Sequence, residues 1–513
     1  MTDIDLKTEG VVHATFDQVE TLDGNKTISA SYIDETNGAS SHNKSKQERR
    51  LVLKCDLLLL TLAILIYLVT AWDRNNIGNA RLMGLQEQLH MSNRDFYNAV
   101  MMYYVSYIIF MLPANVFVRS IQAHRQVGIC VMAFGTFVCC MSAVKSTSAI
   151  LGLRFLVGMA SVFVQGLSIY LSLWYKRDEV VTRGGNPGIY YSAATIAGAF
   201  SGLIAYGIQK NMDGALGRPA WQWIFIIQGS AAILVGILVY ILLPLGPDQM
   251  RKAGKAHWLF TEQEIDLAIF RMKTYNTVDA KFEPKQIWAA LVDVKTWFFC
   301  LMNSGIAIAL ISLSSFLPTF INQFGYSPIR TQLFSVIPYA CAFVTLLVLN
   351  SASDRVNLKG PFLMLCLSIS IVGYIILLCP GNVHVKIFGS CLIVAGTFPA
   401  VTFLGAWIGI NTAGFTKRAA TWAICEVWGQ SFAILGTRIY TDPPRFVKGH
   451  SIVLSFQVLA LLAVVACYFW LRRLNRQKAE DGLERTRSGQ AHPDLQKSLE
   501  EVHDRHPLFV YTL

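Results

Sequence analysis

Long apolar segments recur along this chain and leave few folds open to it. A helix that crosses a bilayer needs about 20 apolar residues, and segments of that length follow one another from residue 54 to residue 471. Only 15% of the residues are charged, whereas a soluble domain carries about 25%. The chain is therefore predicted to be an all-α polytopic membrane protein. The twelve predicted transmembrane helices are 54–79, 97–120, 127–145, 148–174, 188–210, 221–243, 296–323, 331–350, 361–380, 385–410, 419–440 and 452–471.

A polar, basic stretch divides the predicted helices into two groups of six. Two helical groups around a central binding site are typical of secondary transporters. Within this stretch, Thr261 and Glu264 have the spacing of a capping box, which predicts the start of a short helix. The predicted organisation is a disordered cytoplasmic tail at 1–50, a six-helix bundle at 51–243, a cytoplasmic loop at 244–295, a second six-helix bundle at 296–472 and a cytoplasmic tail at 473–513.

Lysines and arginines cluster directly before the first apolar segment and directly after the last one. Such clusters remain on the cytoplasmic side of a membrane, so we expect both tails to be cytoplasmic. The same clusters account for much of the net charge of +11, and we infer no nucleic-acid partner. Because the sequence has no phosphate-binding loop, metal-ligand cluster or catalytic triad, we predict no enzyme, cofactor or metal site. We expect a monomer in the plasma membrane, with an internal membrane as the alternative.

The run 73–80 places an acid, a base and three asparagines at the end of the first apolar segment. Charge in a bilayer is costly, and it usually faces a cavity or a partner. The run therefore predicts a site for a polar solute. Two alternatives remain open: the helix ends at Trp72, with Asp73 and Arg74 in the headgroup region, or Arg74 simply pairs with Asp73.

Separate motifs along residues 50–475 match one branch of a transporter family. They are 73–80, Tyr97 with Asn98, Tyr107, Pro113, Asn115, 154–158, 316–320 with Gly325, 411–419 and 442–445. With these motifs the chain resembles the fungal allantoate permease branch of the anion:cation symporters, in the major facilitator superfamily. The resemblance implies the major facilitator fold, with twelve transmembrane helices in two six-helix bundles.

The same resemblance implies a secondary active transporter that imports a small organic anion by proton symport and alternating access. Its expected substrate is a carboxylate vitamin, an allantoate-like or ureidosuccinate-like nitrogen source, or a dipeptide. The chain departs from the family pattern where Ser161 replaces a glutamate, and where Gln222 and Gln228 replace a base and an acid. These losses leave two alternatives, a uniporter and a non-transporting nutrient sensor.

Four charged residues are the main candidates for the transport site. Arg74 and Arg154 are the predicted substrate ligands, because arginine stays charged and binds a carboxylate through two donors. For Arg154, the alternative is a side chain that reaches the outer interface. Asp73 and Glu426 are the predicted proton carriers, because a carboxylate near a cation changes protonation when substrate occupies that cation.

Further residues are expected around this site and at the inner gate. Tyr103, Tyr107, Trp407 and Asn411 are expected to line the substrate pocket, with simple packing as the alternative for each. In the second half of the chain, 354–355 resembles the acid–base pair of the superfamily's inner-loop motif. We expect Asp354 and Arg355 to act in gating, because a carboxylate that faces a helix N-terminus stabilises one conformation.

Overall fold

Long helices build this protein, and each of the twelve predicted segments holds one. A computed structural model of the chain describes residues 38–120, 123–164, 166–171, 174–175, 187–254, 258–275, 284–356, 358–443, 445–488, 492–495, 497, 502–507 and 509–513. No strand occurs in these ranges. The long helices are α1 (Gly38–Cys55, a π-helical turn Asp56–Leu60 and Thr61–Leu82), α2 (Asn93–Ser120), α3 (Ala123–Met141), α4 (Thr147–Val164), α5 (Pro187–Asn211), α6 (Ala220–Leu242), α7 (Val294–Asn322), α8 (Val336–Val356), α9 (Gly360–Leu378), α10 (Val383–Asn411), α11 (Phe415–Gly436) and α12 (Val447–Ser488).

The helices pack as two groups of six. In the N-terminal half, α3 packs on α4 and α6, α2 packs on α4, and α1 packs on α5 and α6. In the C-terminal half, α7 packs on α11 and α12, α10 packs on α8 and α9, and α9 packs on α12. Four pairs of long helices join the halves in the described chain, namely α1 with α7, α2 with α11, and α5 with both α8 and α10.

Eight helical stretches of the described chain are long and apolar enough to cross a membrane. They are Lys46–Leu82, Thr147–Val164, Ala220–Leu242, Val294–Asn322, Pro328–Val356, Gly360–Leu378, Val383–Asn411 and Val447–Arg485. In α3, Arg125–Met141 is a shorter apolar helix. Helices α7 and α10 are much more buried than the others, as expected for central helices that are surrounded by other helices.

Helix α1 is longer than the shorter prediction allowed. It does not end at Trp72, because regular helix continues to Leu82. Asp73 is completely buried, so the interpretation of Asp73 and Arg74 as a headgroup-region helix end is wrong. The helix continues because its polar side chains find partners inside the protein. One example is Asn79, whose Nδ2 donates to Ser201 at 2.7 Å.

The segments outside the apolar core contain more helix than we predicted. Residues 1–37 of the predicted disordered tail lie outside the described residues, but regular helix begins at Gly38. Helix α12 continues to Ser488, into the predicted C-terminal tail. The predicted capping box is confirmed, since the Thr261 backbone N–H donates to Glu264 at 2.9 Å and begins the helix Glu262–Tyr275.

The two halves meet closely on the side that we call outer, which is opposite the side carrying the basic clusters. The Tyr97 hydroxyl of α2 donates to the Tyr440 carbonyl beyond the end of α11 at 2.7 Å. Gly78 of α1 lies so close to the Ser315 carbonyl of α7 that an added Cβ would be 2.4 Å from it. These contacts close the molecule on its outer side and leave the site described below beneath them.

Candidate functional site

A small cavity lies between the halves, in the last third of α1. It is lined by Arg74, Ile77, Val100, Tyr103, Tyr104, Arg154 and Ser315. Tyr107, which was also expected in the lining, is not part of it. These residues come from α1, α2, α4 and α7, so both halves contribute to the cavity. The sequence predicted Arg74, Tyr103 and Arg154 for the substrate site, and the structure brings them together.

Asp73 and Arg154 form an ion pair deep in the N-terminal half. Nη1 of Arg154 lies 2.8 Å from Oδ2 of Asp73, and the exposed fractions of the two side chains are 2% and 0%. Arg154 therefore does not reach the outer interface. The pair is incompletely satisfied, because Oδ1 of Asp73 and both Nε and Nη2 of Arg154 are buried without a hydrogen-bond partner.

Arg74 differs from its neighbour in having no ion pair or hydrogen bond among the described residues. Its guanidinium lies 5.8 Å from the ring centroid of Tyr103, and its Nε is buried without a partner. The alternative in which Arg74 pairs with Asp73 is wrong, because Asp73 is bound to Arg154. A buried guanidinium without an anion is costly, and the geometry leaves its donors available to a ligand.

Aromatic rings surround the Arg74 side chain. Tyr103 and Tyr107 lie one turn apart on α2, with ring centroids separated by 6.2 Å and planes inclined by 30°. Both hydroxyl groups are buried without a hydrogen-bond partner. The site therefore combines one available cation, flat apolar surfaces and two polar groups that a ligand can satisfy.

Glu426 approaches the same site from α11 of the C-terminal half. Its carboxylate accepts a hydrogen bond of 3.3 Å from Gln430 on the next turn. It is also close enough to interact electrostatically with Arg74 and with Tyr107. Glu426 therefore belongs to the opposite half of the molecule and lies within electrostatic range of Arg74, although it is not part of the cavity lining.

Three asparagines of the 73–80 run connect α1 to neighbouring helices. Asn75 accepts a hydrogen bond of 2.7 Å from the Tyr339 hydroxyl of α8, which crosses between the halves. Asn76 donates to Gln228 of α6 and accepts from Ser201 of α5 at 2.9 Å. These partners are distant along the chain, so the sequence pattern does not indicate them. Gln228 acts here only as an acceptor through Oε1, and its Nε2 is buried without a hydrogen-bond partner.

Trp407 and Asn411 do not line the cavity. Both lie near the inner end of α10 and are completely buried. Nε1 of Trp407 donates to the Thr512 carbonyl at 2.8 Å, and Nδ2 of Asn411 donates to the same oxygen at 3.0 Å. The polar groups of both side chains therefore bind the C-terminal segment, which is part of the predicted cytoplasmic tail.

The residues expected to gate the inner side lie at the end of α8. Asp354 accepts a hydrogen bond of 2.6 Å from Nζ of Lys359, just before α9, and Arg355 is exposed. Their role in gating stays a prediction. Nearer the cavity, Ser161 bonds to its own helix at the Val157 carbonyl, 2.9 Å away. In the described residues, no group of three or more His, Cys, Asp or Glu side chains is placed to hold a metal.

Comparison with known proteins agrees with this architecture. The family model of the Major Facilitator Superfamily matches residues 63–437. The high-affinity nicotinic acid transporter of Saccharomyces cerevisiae is 30% identical over 438 residues, which are 84% of this chain and 79% of that protein. The MFS-type transporter efuF of Hormonema carpetanum is 29% identical, over 83% of this chain and 85% of its own.

Among solved structures, the fold matches the proton:xylose symporter XylE bound to 6-bromo-6-deoxy-D-glucose. The TM-score is 0.62 at 15% identity, covering 80% of this chain and 94% of XylE. This likeness confirms the predicted fold class, and the relatives confirm that the protein is not an enzyme. With a family model that covers most of its length, the chain belongs to the Major Facilitator Superfamily of membrane transporters.

Proposed function

We propose that this transporter imports a small organic anion with a planar ring, such as nicotinate, by proton symport. The observation that carries the proposal is Arg74, a guanidinium at the cavity that makes no direct ion pair or hydrogen bond with any of the described residues. Arginine binds a carboxylate with a two-pronged set of donors, and it cannot lose its charge to lower the cost of burial. A carboxylate ligand would supply the missing anion.

The aromatic side chains at and beside the cavity are suited to a flat ligand. The stacked rings of Tyr103 and Tyr107 offer an aromatic surface beside the guanidinium, and their unpartnered hydroxyls can bond to polar atoms of a ring. A nicotinic acid transporter among the relatives agrees with this substrate class. We include in the same proposal that the chain is a member of the allantoate permease branch, whose motifs it resembles, and that it lies in the plasma membrane.

Coupling to protons would follow from Glu426. Without substrate, its carboxylate is the acid that interacts with Arg74. When a substrate carboxylate binds Arg74, the negative charge of Glu426 loses part of its stabilisation, and a buried carboxylate then binds a proton more readily. Asp73 is the less suitable carrier, because Arg154 already neutralises it.

The two alternatives differ from this proposal in measurable ways. A uniporter would carry the anion only down its gradient, and Ser161 in place of the family acid keeps that possibility open. A sensor would bind the anion without transporting it. The available Arg74 supports binding in all three cases, whereas Glu426 opposite Arg74 supports symport in particular.

The test is uptake of labelled nicotinate by a fungal strain that lacks its own carboxylate permeases. A panel of unlabelled vitamins and nitrogen sources, added as competitors, would define the substrate class. The Arg74→Lys variant keeps the charge but loses the two-pronged geometry, a loss of about 1.5–3 kcal/mol for one charge-assisted hydrogen bond. We expect its apparent affinity to fall by about ten- to a hundredfold.

The matched control is Arg218→Lys, because Arg218 is exposed in the loop between α5 and α6. That variant should transport like the wild type at equal protein abundance. If Arg74→Lys and the wild type have the same affinity for every transported anion, Arg74 is not the anion ligand and the proposal is wrong.

A further inference from the structure

The last described residues, 502–507 and 509–513, form a segment that we call the inner strap. It contacts the inner face of the C-terminal half. Asp504, His506 and Tyr511 of the strap are buried, at 3%, 6% and 5% exposure. The strap has little regular structure, apart from one turn at His503–Arg505, so side-chain bonds hold it in place.

Asp504 is the charged anchor of the strap. Its carboxylate accepts hydrogen bonds from Nζ of Lys295, in the first turn of α7, and from Nζ of Lys417, near the start of α11. The Tyr511 hydroxyl donates to the same carboxylate at 2.9 Å. One acid of the strap therefore joins two helices that are more than a hundred residues apart along the chain.

The buried charges around Asp504 balance only when the strap is bound. The two buried cations are Lys295 and Lys417, and Asp293 is the second acid, 2.7 Å from Nζ of Lys417. Lys478 of α12, which is only partly buried, is a third cation near Asp504. Burial alone would raise the pKa of Asp504, but the two ammonium groups outweigh it and hold that pKa well below its usual range. Asp504 is therefore ionised at cytoplasmic pH. Without it, a buried ammonium would be left uncompensated, which is strongly destabilising.

Backbone groups of the strap bind three further helices, two of them at their ends. Beyond the bonds from α10 to the Thr512 carbonyl, the Thr512 N–H donates to Asn411 at 2.8 Å. Asn475 of α12 donates to the Tyr511 carbonyl at 2.8 Å. The Lys359 backbone N–H, directly before α9, donates to the Leu513 carbonyl at 2.9 Å. The strap thus connects the inner ends of α7, α9, α10 and α11 with α12.

We propose that the inner strap is an intramolecular ligand which, anchored by Asp504, clamps the inner ends of the C-terminal half and fixes the position of α11. The consequence for transport lies in the length of α11. Glu426 is nine residues beyond Lys417, about 13.5 Å along the helix at ~1.5 Å per residue. A clamp on Lys417 therefore holds Glu426 opposite Arg74. This last step rests on the proposed function, whereas the docking of the strap does not.

The first experiment measures docking with the full-length protein and needs no substrate. Arg505 is exposed, but the residues on both sides of it, Asp504 and His506, are buried, so trypsin should cut after Arg505 faster once the strap leaves its site. Release of the peptide 506–513, followed by mass spectrometry, therefore reports undocking. We expect Asp504→Asn to raise the release rate at least about tenfold, the equivalent of about 1.4 kcal/mol. Asp266→Asn is the matched control, because Asp266 is exposed and pairs at the surface with Arg251, and its release rate should equal that of the wild type.

Amide hydrogen exchange gives the second readout. In Asp504→Asn, exchange should become faster in the inner part of α11 and at the start of α7, and it should stay unchanged in α3 and α6. Unchanged release together with unchanged exchange in α11 would overturn the proposal. Because neither measurement involves transport, failure of the clamp is distinguishable from failure of the proposed anion transport.

A double variant covers the case in which Asp504→Asn does not fold. Asp504→Asn with Lys417→Met removes one charge of each sign, so the buried cluster is neutral again. We expect normal protein abundance but continued fast release of the peptide, because the anchor is still missing. If the double variant releases the peptide as slowly as the wild type, net charge rather than the Asp504 anchor holds the strap, and the proposal is wrong.

Discussion

Two adjacent charged residues of α1 have different roles because successive residues of a helix face different directions. Side chains at neighbouring positions are rotated by about 100°, so Asp73 faces α4 while Arg74 faces the cavity. Asp73 is completely buried and meets Arg154 at 2.8 Å. The ion pair keeps an acid and a base inside the N-terminal half, and it leaves Arg74 as the cation available to a ligand.

The Asp73–Arg154 pair makes a prediction about stability. Removing one member of a buried ion pair costs about 3–5 kcal/mol, because the other charge stays buried without compensation. We expect Asp73→Asn and Arg154→Gln each to lower the protein's abundance and its thermal unfolding temperature in detergent. The double variant should be more stable than either single one. Single variants as stable as the wild type would show that the pair is not essential to the folded half.

At the scale of residues, the sequence indicated which side chains lie near one another better than it indicated which of them form pairs. Asp73, Arg74 and Arg154 were recognisable as charges inside apolar segments, where charge needs a reason. The partner of Asp73 was not predictable, because Arg154 is 81 residues away. Trp407 and Asn411 were misplaced for a related reason. Their partner, Thr512, lies 101 residues from Asn411, in a segment without apolar periodicity.

At the scale of elements, α5 and α8 close the outer side through glycines. An added Cβ at Gly198 would lie 2.5 Å from the Tyr339 ring, and one at Gly202 would lie 2.6 Å from the Ser335 hydroxyl. Small residues four positions apart on a helix, such as Gly198 and Gly202, indicate that another helix approaches closely, but they do not identify that helix. The sequence alone therefore does not predict that this contact joins the two halves.

A larger side chain at Gly198 should prevent the two halves from closing on the outer side. We expect Gly198→Val to hold α5 and α8 apart, so that a membrane-impermeant maleimide labels a cysteine placed at Ser335 faster than in the parent protein. The matched control is Gly207→Val on the same helix, because an added Cβ at Gly207 meets nothing within 4 Å. Equal labelling rates in Gly198→Val and Gly207→Val would mean that this contact does not limit closure.

The existence of the twelve long helices was predictable, whereas their lengths and most of the helices outside the apolar segments were not. Apolar length indicates which segments cross a membrane, but polar residues continue a helix when they have partners. Helix α1 continues through the 73–80 run for this reason, and α12 continues to Ser488, where Asn475 and Lys478 hold the inner strap. Both extensions depend on tertiary contacts that the pattern along one segment does not contain.

At the scale of the whole molecule, the cavity lies between halves that are closed on the outer side. Arg74 belongs to the N-terminal half and Glu426 to the C-terminal half, so their interaction spans the surface along which alternating-access transporters move. Any movement of one half against the other changes the distance between this acid and this base. In the proposed function, substrate, proton and conformation all act on this pair of charges.

This arrangement makes the last prediction, which concerns Glu426→Gln. Glutamine keeps the size of the side chain, but it has no negative charge and cannot bind and release a proton. We expect the variant to exchange labelled carboxylate across the membrane down its gradient, yet to lose accumulation against the gradient when the outside is made acidic. The measurement is uptake of the anion that the wild type accumulates, with and without a protonophore.

The control is Glu87→Gln, because Glu87 is an exposed acid beyond α1, and this variant should accumulate substrate normally. Accumulation by Glu426→Gln at the wild-type level would contradict coupling through this acid. Loss of accumulation with retained exchange would separate the symporter from both the uniporter and the sensor, because a uniporter never accumulates against a gradient and a sensor does not exchange.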